Sequence, residues 1–265
     1  MNHFLQGVAR AVAETFDLPG PIIEIGSYQV EGQEAIAELR GLFPGKRYTG
    51  LDRRPGPGVD LLADVEDLPQ ADTSVGTVIA MNTFEHVPRF WRGFAEIRRV
   101  LKPDGALLVS CPFHFKIHNY PADYWRFSPA ALELLLEDYP NKIVGWHGPV
   151  NRPVHVWALA FREYRPPIMP AQFERYRNLL NRYARQPQSI FRRLRYRLGS
   201  LFFGRGPFAS YLDQERWETI CKAQNVQSWR LPQFATTAEQ SAPSMSRSAS
   251  PTGIAGTYSA DACIR

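Results

Sequence analysis

The segment at residues 21–33 places the tightest limit on the fold. Its sequence, PIIEIGSYQVEGQ, predicts a buried strand that ends near a carboxylate and leads through a glycine-bearing turn into a helix over residues 32–42. Ligands of doubly wound α/β sheets bind at this carboxyl edge. Gly26 lets a ligand approach the backbone, and Glu24 offers oxygens that accept hydrogen bonds. Plain βα connections show the same pattern, so this segment alone leaves both interpretations open.

Two further predicted strands also end in an acidic residue. Residues 47–51 predict a strand that is followed by Asp52, and residues 59–63 predict another that is followed by Asp64. A carboxylate at a strand tip can accept hydrogen bonds from both hydroxyl groups of a ribose. The repetition of this arrangement favours a nucleotide-containing ligand over a plain connection.

The middle of the chain continues the alternation of strands and helices. The apolar runs at residues 75–81 and 105–111 predict buried parallel strands, and residues 88–101 between them show the apolar spacing of a helix, ended by a turn. Residues 142–146 and 154–161 predict a final hairpin. The sequence therefore predicts an α/β domain with a largely parallel sheet.

These motifs resemble the class I S-adenosylmethionine-dependent methyltransferases, within them the type 11-like enzymes of glycan and polysaccharide pathways. The matching stretches occur in the family's order and are EIGSYQVEG, GLD, ADVEDLP, VIAMNTFEHV and EIRRVLKPDGALLVS. The resemblance implies a Rossmann-like sheet of seven strands with an antiparallel last pair, helices on both faces, and S-adenosylmethionine as cofactor. A nicotinamide-dependent enzyme fits less well because the first turn lacks the G-x-G-x-x-G pattern.

The resemblance also assigns the cofactor-binding residues. By motif match, the methionine end is lined by Glu24, Gly26 and Ser27, the ribose is held by Asp52, and the adenine is contacted by Asp64 and Val65. The first turn departs from the family pattern because it lacks the usual closely spaced glycines. Arg53 stands where many relatives have an apolar residue, so stacking on the adenine is cationic or absent.

Residues 112–129 are the candidate acceptor site, since they directly follow the fifth strand. Their sequence resembles the HxYPxDYWRFTP segment of methyltransferases from surface-polysaccharide and glycan pathways, which implies a sugar or glycolipid acceptor. The candidate substrate-binding residues are His114, Tyr120, Asp123, Tyr124, Trp125 and Arg126. The alternative is structural: the aromatic rings cap the sheet and Arg126 pairs with a carboxylate.

Two histidines are candidates for a catalytic base. A hydroxyl acceptor loses its proton as the new bond forms, and imidazole titrates close to neutral pH, so His118 and His86 are the candidates. His86 has an equal alternative as a helix cap or as a residue that supports another side chain. A carboxylate or amine acceptor would need no such base.

Metal binding and membrane spanning are not expected from the sequence. The three cysteines, Cys111, Cys221 and Cys263, lack metal-ligand spacing, which favours a reducing, cytoplasmic setting. Charges interrupt the apolar runs before they reach the length that a bilayer requires. Residues 2–18 have apolar residues on one helical face, which predicts a helix packed on the sheet. Charged residues interrupt the apolar run that the core of a signal peptide would need.

The C-terminal part has a different composition. We predict a methyltransferase domain at residues 1–164, a basic helical appendage at 165–233 and a disordered tail at 234–265. Arginines interleaved with apolar residues in the appendage explain much of the net charge of +5. A contact with an anionic membrane at its inner face and a lid over the active site are the favoured interpretations, and nucleic acid is the less favoured one.

The sequence therefore predicts a methyltransferase that acts on a small-molecule or glycan acceptor, with O-methylation as the expected chemistry. The alternative is a non-catalytic protein with this fold that the basic segment recruits to a membrane or a partner. The atypical first turn keeps that alternative open.

Overall fold

The computed structural model describes residues 1–118, 122–163, 166–184, 217–223 and 226–229, and positions 191, 194–195, 198–199 and 201. All of these residues belong to one unit, Met1–Leu231. The predicted tail at residues 234–265 lies outside the described residues. None of the helices assigned in the described part is long and apolar enough to cross a membrane.

The elements alternate along the chain as the sequence predicts. The strands are β1 (Ile22–Ile25), β2 (Tyr48–Asp52), β3 (Leu61–Leu62), β4 (Val75–Met81), β5 (Leu101–Pro112), β6 (Asn141–His147), β7 (His155–Phe161), β8 (Trp217–Ala223) and β9 (Val226–Trp229). The helices are α1 (His3–Thr15), α2 (Glu34–Ala37), α3 (Phe90–Val100), α4 (Pro129–Leu135) and α5 (Pro170–Tyr183). Single 3-10 turns lie at Arg40–Leu42 and Phe84–His86.

All strands join one sheet in the order β3-β2-β1-β4-β5-β7-β6-β8-β9. The first five strands are parallel, and β7 lies between β5 and β6 and is antiparallel to both. The predicted methyltransferase sheet, with its antiparallel last strand, is therefore confirmed. Because the order reverses between β1 and β4, the carboxyl ends of these strands border the crevice in which such folds bind ligands.

Two strands extend the sheet beyond the predicted seven. β8 pairs with β6 and β9 pairs with β8, both antiparallel. The predicted helical appendage is therefore wrong at residues 217–223 and 226–229, which form strands. The interior of β8 is buried, with Ile220 and Cys221 facing the two sides of the sheet, so packing determines the strand.

The helices cover both faces of the sheet, as predicted. On one face α3 and α4 pack over a core that includes Phe84, Ile97 and Leu132. On the other face α1 and α5 pack over a core that includes Leu5 and Tyr176. Each face of the central strands is therefore buried, which accounts for their uninterrupted apolar sequences.

The contact between α1 and α5 is close. A Cβ on Gly7 would lie 2.9 Å from the backbone carbon of Tyr183, so only glycine fits at this position without displacing α5. Below the two helices, the indole Nε1 of Trp157 donates a hydrogen bond of 2.9 Å to the hydroxyl oxygen of Tyr176, and both groups are buried. This bond satisfies a buried donor that would otherwise destabilise the fold.

The helix predicted at residues 32–42 forms only in part. The chain makes the four-residue α2 and a 3-10 turn, and Glu38 between them is extended. No residue of α2 is buried, so little apolar packing is available to stabilise a longer helix. The loop between β1 and β2 is consequently mostly irregular.

Candidate functional site

The β1 turn is built for close approach of the backbone. Gly26 has a φ of +78° and is exposed, a conformation that favours glycine. A Cβ there would lie 2.5 Å from Oγ1 of Thr83, whose hydroxyl donates a hydrogen bond of 2.9 Å to the carbonyl of Ile25. Thr83 follows β4, so this bond joins the tips of β1 and β4 where the strand order reverses.

Ser27 lies directly behind this turn and is buried. Its backbone N–H donates to the carbonyl of Leu51, which anchors the turn to β2. Its hydroxyl oxygen is enclosed and has no hydrogen-bond partner within the described residues. An enclosed hydroxyl without a partner is a candidate ligand contact, since such groups are normally satisfied.

Asp52 lies at the tip of β2, as predicted, and helps to shape the loop around it. One carboxylate oxygen accepts a hydrogen bond of 3.0 Å from the backbone N–H of Arg54, and the other accepts one of 3.4 Å from that of Tyr28. The guanidinium carbon of Arg54 lies 4.4 Å from the centre of the Tyr28 ring. The carboxylate is therefore fixed between the loops that follow β1 and β2.

Asp64 and Val65 occupy different environments. Asp64 is partly exposed; one of its carboxylate oxygens lies 3.5 Å from Nε of Arg53, and the other accepts a hydrogen bond from the N–H of Glu66. The side chain of Val65 is buried in the core beneath α3, close to Phe84. Arg53 therefore pairs with a carboxylate, and the side chain of Val65 serves packing.

Glu24 lies on β1 below the turn. The hydroxyl of Tyr48 donates a hydrogen bond of 2.7 Å to its carboxylate, which ties β1 to β2. Burial of the carboxyl group raises the pKa of Glu24 to about 7. Ile22 and Glu24 project to the same side of the sheet as Tyr48, because Ile22 pairs in register with Tyr48.

A second group of polar side chains lies beyond β4. Glu85 and His86 belong to the 3-10 turn after β4, and His118 lies in the segment after β5. One potential ligand atom from each of the three lies within 4.8 Å of the others. The two imidazole rings meet edge to face, with centroids 4.9 Å apart. Both candidate bases are therefore neighbours in space.

Glu85 is fully buried, and the sequence analysis does not identify it. Neither carboxylate oxygen has a hydrogen-bond partner outside its own residue in the described part of the chain. Burial raises the pKa of this carboxyl group to about 8. The sequence around Glu85 does not indicate this burial, because the segment that covers it is distant in sequence. The backbone N–H groups of Tyr124 and Trp125 donate hydrogen bonds to the backbone carbonyl of Glu85.

Asp123 organises the segment that contains His118. Its enclosed carboxylate accepts hydrogen bonds from the backbone N–H of His118 at 2.9 Å and from both terminal nitrogens of Arg126. The guanidinium group of Arg126 holds the pKa of Asp123 well below its usual range. Nδ1 of His118 lies 2.9 Å from the same carboxylate. Arg126 is thus paired with a carboxylate within the protein, which is what the structural alternative for this residue predicts.

The aromatic residues of this segment differ in exposure. The indole N–H of Trp125 donates to the carbonyls of Val87 and Pro88, and its ring packs edge to face on Phe90. Tyr124 is 53% exposed, and His114 is also exposed. Tyr120 lies outside the described residues. Trp125 thus fixes the segment on the β4 side, whereas Tyr124 remains available to an acceptor.

The cofactor-side and acceptor-side groups lie on neighbouring strand ends. Burial lowers the pKa of His86, and the charges of His118 and Arg54 lower it further.

Comparison with known proteins gives a partial match to methyltransferases. Residues 33–109 match the family model described as a methyltransferase domain. An uncharacterized methyltransferase from Mycobacterium ulcerans (strain Agy99) is 44% identical over 55 residues, which cover 21% of this chain and 22% of the relative. Another from Mycobacterium avium (strain 104) is 36% identical over 78 residues, covering 25% of this chain and 31% of the relative. The chain therefore spans less than a third of the length of these curated relatives.

Among solved structures, the 1,6-didemethyltoxoflavin-N1-methyltransferase of Burkholderia thailandensis, with bound 1,6-didemethyltoxoflavin and S-adenosylhomocysteine, is similar at a TM-score of 0.44. It shares 16% sequence identity, with 61% of this chain and 78% of that chain covered. The assignment of the fold rests on the strand order of this protein.

Proposed function

We propose that the protein is an S-adenosylmethionine-dependent methyltransferase that methylates a hydroxyl group of a small-molecule or glycan acceptor. The observation that carries the proposal is the placement of Gly26, Ser27 and Asp52 at the tips of β1 and β2, together with His118 and the enclosed carboxylate of Asp123 in the segment after β5. The methyltransferase-domain match at residues 33–109 supports it.

The residues at the β1 and β2 tips fit the proposed cofactor. Gly26 leaves its exposed backbone free of a side chain, and the enclosed hydroxyl of Ser27 lacks a partner in the described part of the chain. Asp52 offers carboxylate oxygens to the ribose hydroxyls. When bound, S-adenosylmethionine supplies a methyl group on a sulfonium, which is reactive enough that alignment of the acceptor accounts for most of the rate.

His118 is the proposed base for a hydroxyl acceptor. The ring lies beside the carboxylate of Asp123, with Nδ1 2.9 Å from it but without a hydrogen bond, and an imidazole nitrogen is proposed to accept the proton. Arg126 and the backbone N–H of His118 hold the Asp123 carboxylate in place beside the ring. Asp123 is therefore a positioning residue in this proposal.

The glycan class of acceptor rests on the resemblance of residues 112–129 and on exposed rings beside His118. Phe115 is 45% exposed, and its ring lies edge to face with that of His118. Aromatic faces are suitable partners for the apolar faces of sugar rings. Tyr124 and His114 are the other exposed candidates in this segment.

The direct test is a methyl-transfer screen of the full chain with labelled cofactor against nucleotide sugars and lipid-linked glycans. Label in a glycan hydroxyl is the expected result. Cofactor binding without turnover on any acceptor of these classes would favour the non-catalytic alternative, and absence of cofactor binding would overturn the assignment.

A peripheral membrane contact is a second proposal, and a specific observation supports it. Phe191, Leu194, Leu198 and Leu201 are exposed, at 84%, 54%, 46% and 79% respectively. Their separations of three and four residues correspond to one face of a helix. Most of the neighbouring arginines lie outside the described residues, so the charge part of this proposal rests on the sequence.

A further inference from the structure

We propose that Glu85, His86 and His118 bind one divalent transition-metal ion of the zinc type. Metal binding by this cluster goes beyond the methyltransferase assignment, because it depends only on the convergence of the three side chains. No metal site is predicted from the sequence, because the cysteines lack metal-ligand spacing and these three residues lie on two separate segments. The fold brings them together beside the ends of β4 and β5.

Glu85 is the first reason for the proposal. Its carboxylate is completely buried, and neither oxygen has a hydrogen-bond partner outside its own residue among the described residues. The charged groups that influence it are Asp123, the Met1 amino group and Arg126. Buried carboxylates are normally paired or coordinate a metal, so an ion in this position satisfies a group that is otherwise costly.

The histidines supply the second reason. Nδ1 of His86 contacts the backbone carbonyl of Ala122, and Nδ1 of His118 lies 2.9 Å from the Asp123 carboxylate. Metal-binding histidines generally donate one ring N–H to a carbonyl or carboxylate and bind the ion through the other nitrogen. The contact of His86 matches this arrangement, and its Nε2 lies 3.8 Å from Oε1 of Glu85. Nδ1 of His118 is enclosed near the Asp123 carboxylate but has no hydrogen-bond partner within the described residues, so this imidazole still has a nitrogen to offer to an ion.

The ligand atoms of the cluster are close enough to hold an ion once the side chains move slightly towards one another. The candidate ligand atoms lie within 4.8 Å of one another in this structure. Metal–ligand bonds of about 2.0–2.2 Å place neighbouring ligand atoms roughly 3–3.5 Å apart. Side-chain movements of roughly 1 Å close this difference, and His118 lies in a partly exposed loop that can accommodate them.

Two imidazoles and one carboxylate select the class of ion. Imidazole nitrogen favours zinc and the neighbouring transition metals, whereas magnesium prefers oxygen ligands and water. Three protein ligands leave at least one coordination position open, as in catalytic rather than structural zinc sites. An acceptor hydroxyl fits that open position.

A bound ion also changes the role of His118 in methyl transfer, and this inference about its role rests on the proposed function. A bound ion would lower the pKa of a coordinated hydroxyl, whose proton would pass to solvent. The hydroxyl oxygen would then take the methyl carbon as the bond between carbon and sulfur breaks, giving the methyl ether and the demethylated cofactor. In this form His118 would hold the ion and would not act as the base.

Metal binding can be tested without cofactor or acceptor. The full chain is stripped with a chelator and titrated with Zn²⁺ by calorimetry, and Co²⁺ is added separately as a probe with visible absorption. We expect one bound ion per chain and an affinity at least tenfold lower in Glu85→Gln and in His86→Ala. His3→Ala removes an exposed imidazole on α1 and is expected to leave Zn²⁺ affinity unchanged.

Each variant is first checked for folding by thermal unfolding in the absence of metal. Glu85→Gln preserves size and removes a buried acid, so it is expected to fold. Absence of Zn²⁺ binding by the stripped parent, equal affinity in Glu85→Gln and His86→Ala, or preference for Mg²⁺ would each overturn the proposal. Because no methyl transfer is measured, these outcomes are independent of whether the protein is a methyltransferase.

Discussion

Nδ1 of His118 lies 2.9 Å from Oδ2 of Asp123, and the same carboxylate is held by the guanidinium group of Arg126. The relationship places the candidate base next to a carboxylate that is itself paired with a cation. Asp123 is the common partner, since its carboxylate also accepts a hydrogen bond from the backbone N–H of His118.

Replacement of His118 by alanine is expected to lower turnover by about a hundredfold or more, with little change in cofactor affinity, because the side chain acts on the acceptor. The measurement is steady-state methyl transfer to a hydroxyl acceptor, together with calorimetric titration of the cofactor. His3→Ala, an exposed histidine on α1, is the control. Unchanged turnover in His118→Ala would transfer the role to His86 or show that no base is used.

Asp52→Ala is expected to weaken cofactor binding by about 1–3 kcal/mol, because the ribose hydroxyls lose their acceptors in an enclosed site. Calorimetric titration of both proteins measures the difference. Asp72→Ala is a matched control, since this exposed carboxylate precedes β4 and lies at the opposite edge of the sheet. Equal affinity of the Asp52 variant and the parent would contradict the placement of the ribose.

Glu24 is expected to make stability depend on pH. Its folded-state pKa is about 7, above the ordinary value of 4.5, so the folded chain binds this proton more tightly than the unfolded chain. The contribution of Glu24 is therefore most favourable below pH 4.5 and is lost as pH rises through 7, by at most about 3 kcal/mol.

Glu24→Gln tests this dependence, because the amide oxygen can still accept the hydrogen bond from Tyr48. Urea unfolding at pH 5, 6, 7 and 8 is expected to show the variant gaining stability over the parent as pH rises. The difference between the two proteins isolates Glu24 from other groups that titrate in the same range. A constant difference across this range would show that the carboxyl group is not perturbed by folding.

Two buried tyrosines are expected to respond oppositely to removal of their hydroxyl groups. Tyr176→Phe leaves the buried N–H of Trp157 without its acceptor and is expected to cost about 1–3 kcal/mol. The hydroxyl of Tyr139 is buried and has no partner within the described residues, so Tyr139→Phe is expected to be neutral or stabilising. Denaturant midpoints of the two variants provide the test. Equal losses would show that the hydrogen bond contributes nothing specific.

The central sheet could be predicted from sequence because its strands are buried on both faces. The apolar run at residues 75–81 coincides with β4, and Asp52 ends β2 as expected. β8 was not predicted, since charged residues interrupt its sequence, WETICKA, and only pairing with β6 determines it as a strand.

The candidate site could be predicted from the sequence only for those residues that lie together in one segment of the chain. The contacts within residues 112–129 are local, and several of their candidate residues lie together. The burial of Glu85 depends on a loop almost 40 residues away, in which Tyr124 binds its backbone carbonyl. Packing of this kind has no signature in the sequence of either segment, so both the buried carboxylate and its approach to His118 required the fold.

The exposed apolar residues at positions 191–201 are expected to bind vesicles that contain anionic lipid. Apolar side chains that enter the membrane contribute a binding free energy that salt does not screen, and each nearby arginine adds about 1 kcal/mol. Binding should therefore weaken as salt rises without disappearing.

Removal of residues 165–265 is unsuitable as a test because it also deletes α5, β8 and β9 from the folded unit. The sharper variant replaces Phe191, Leu194 and Leu201 with serine and is compared by vesicle sedimentation with Leu134→Ser, an exposed leucine on α4. We expect the triple variant to lose most of its binding and Leu134→Ser to retain it. Equal sedimentation of the triple variant and the parent, or no sedimentation of the parent, would show that this segment does not bind membranes.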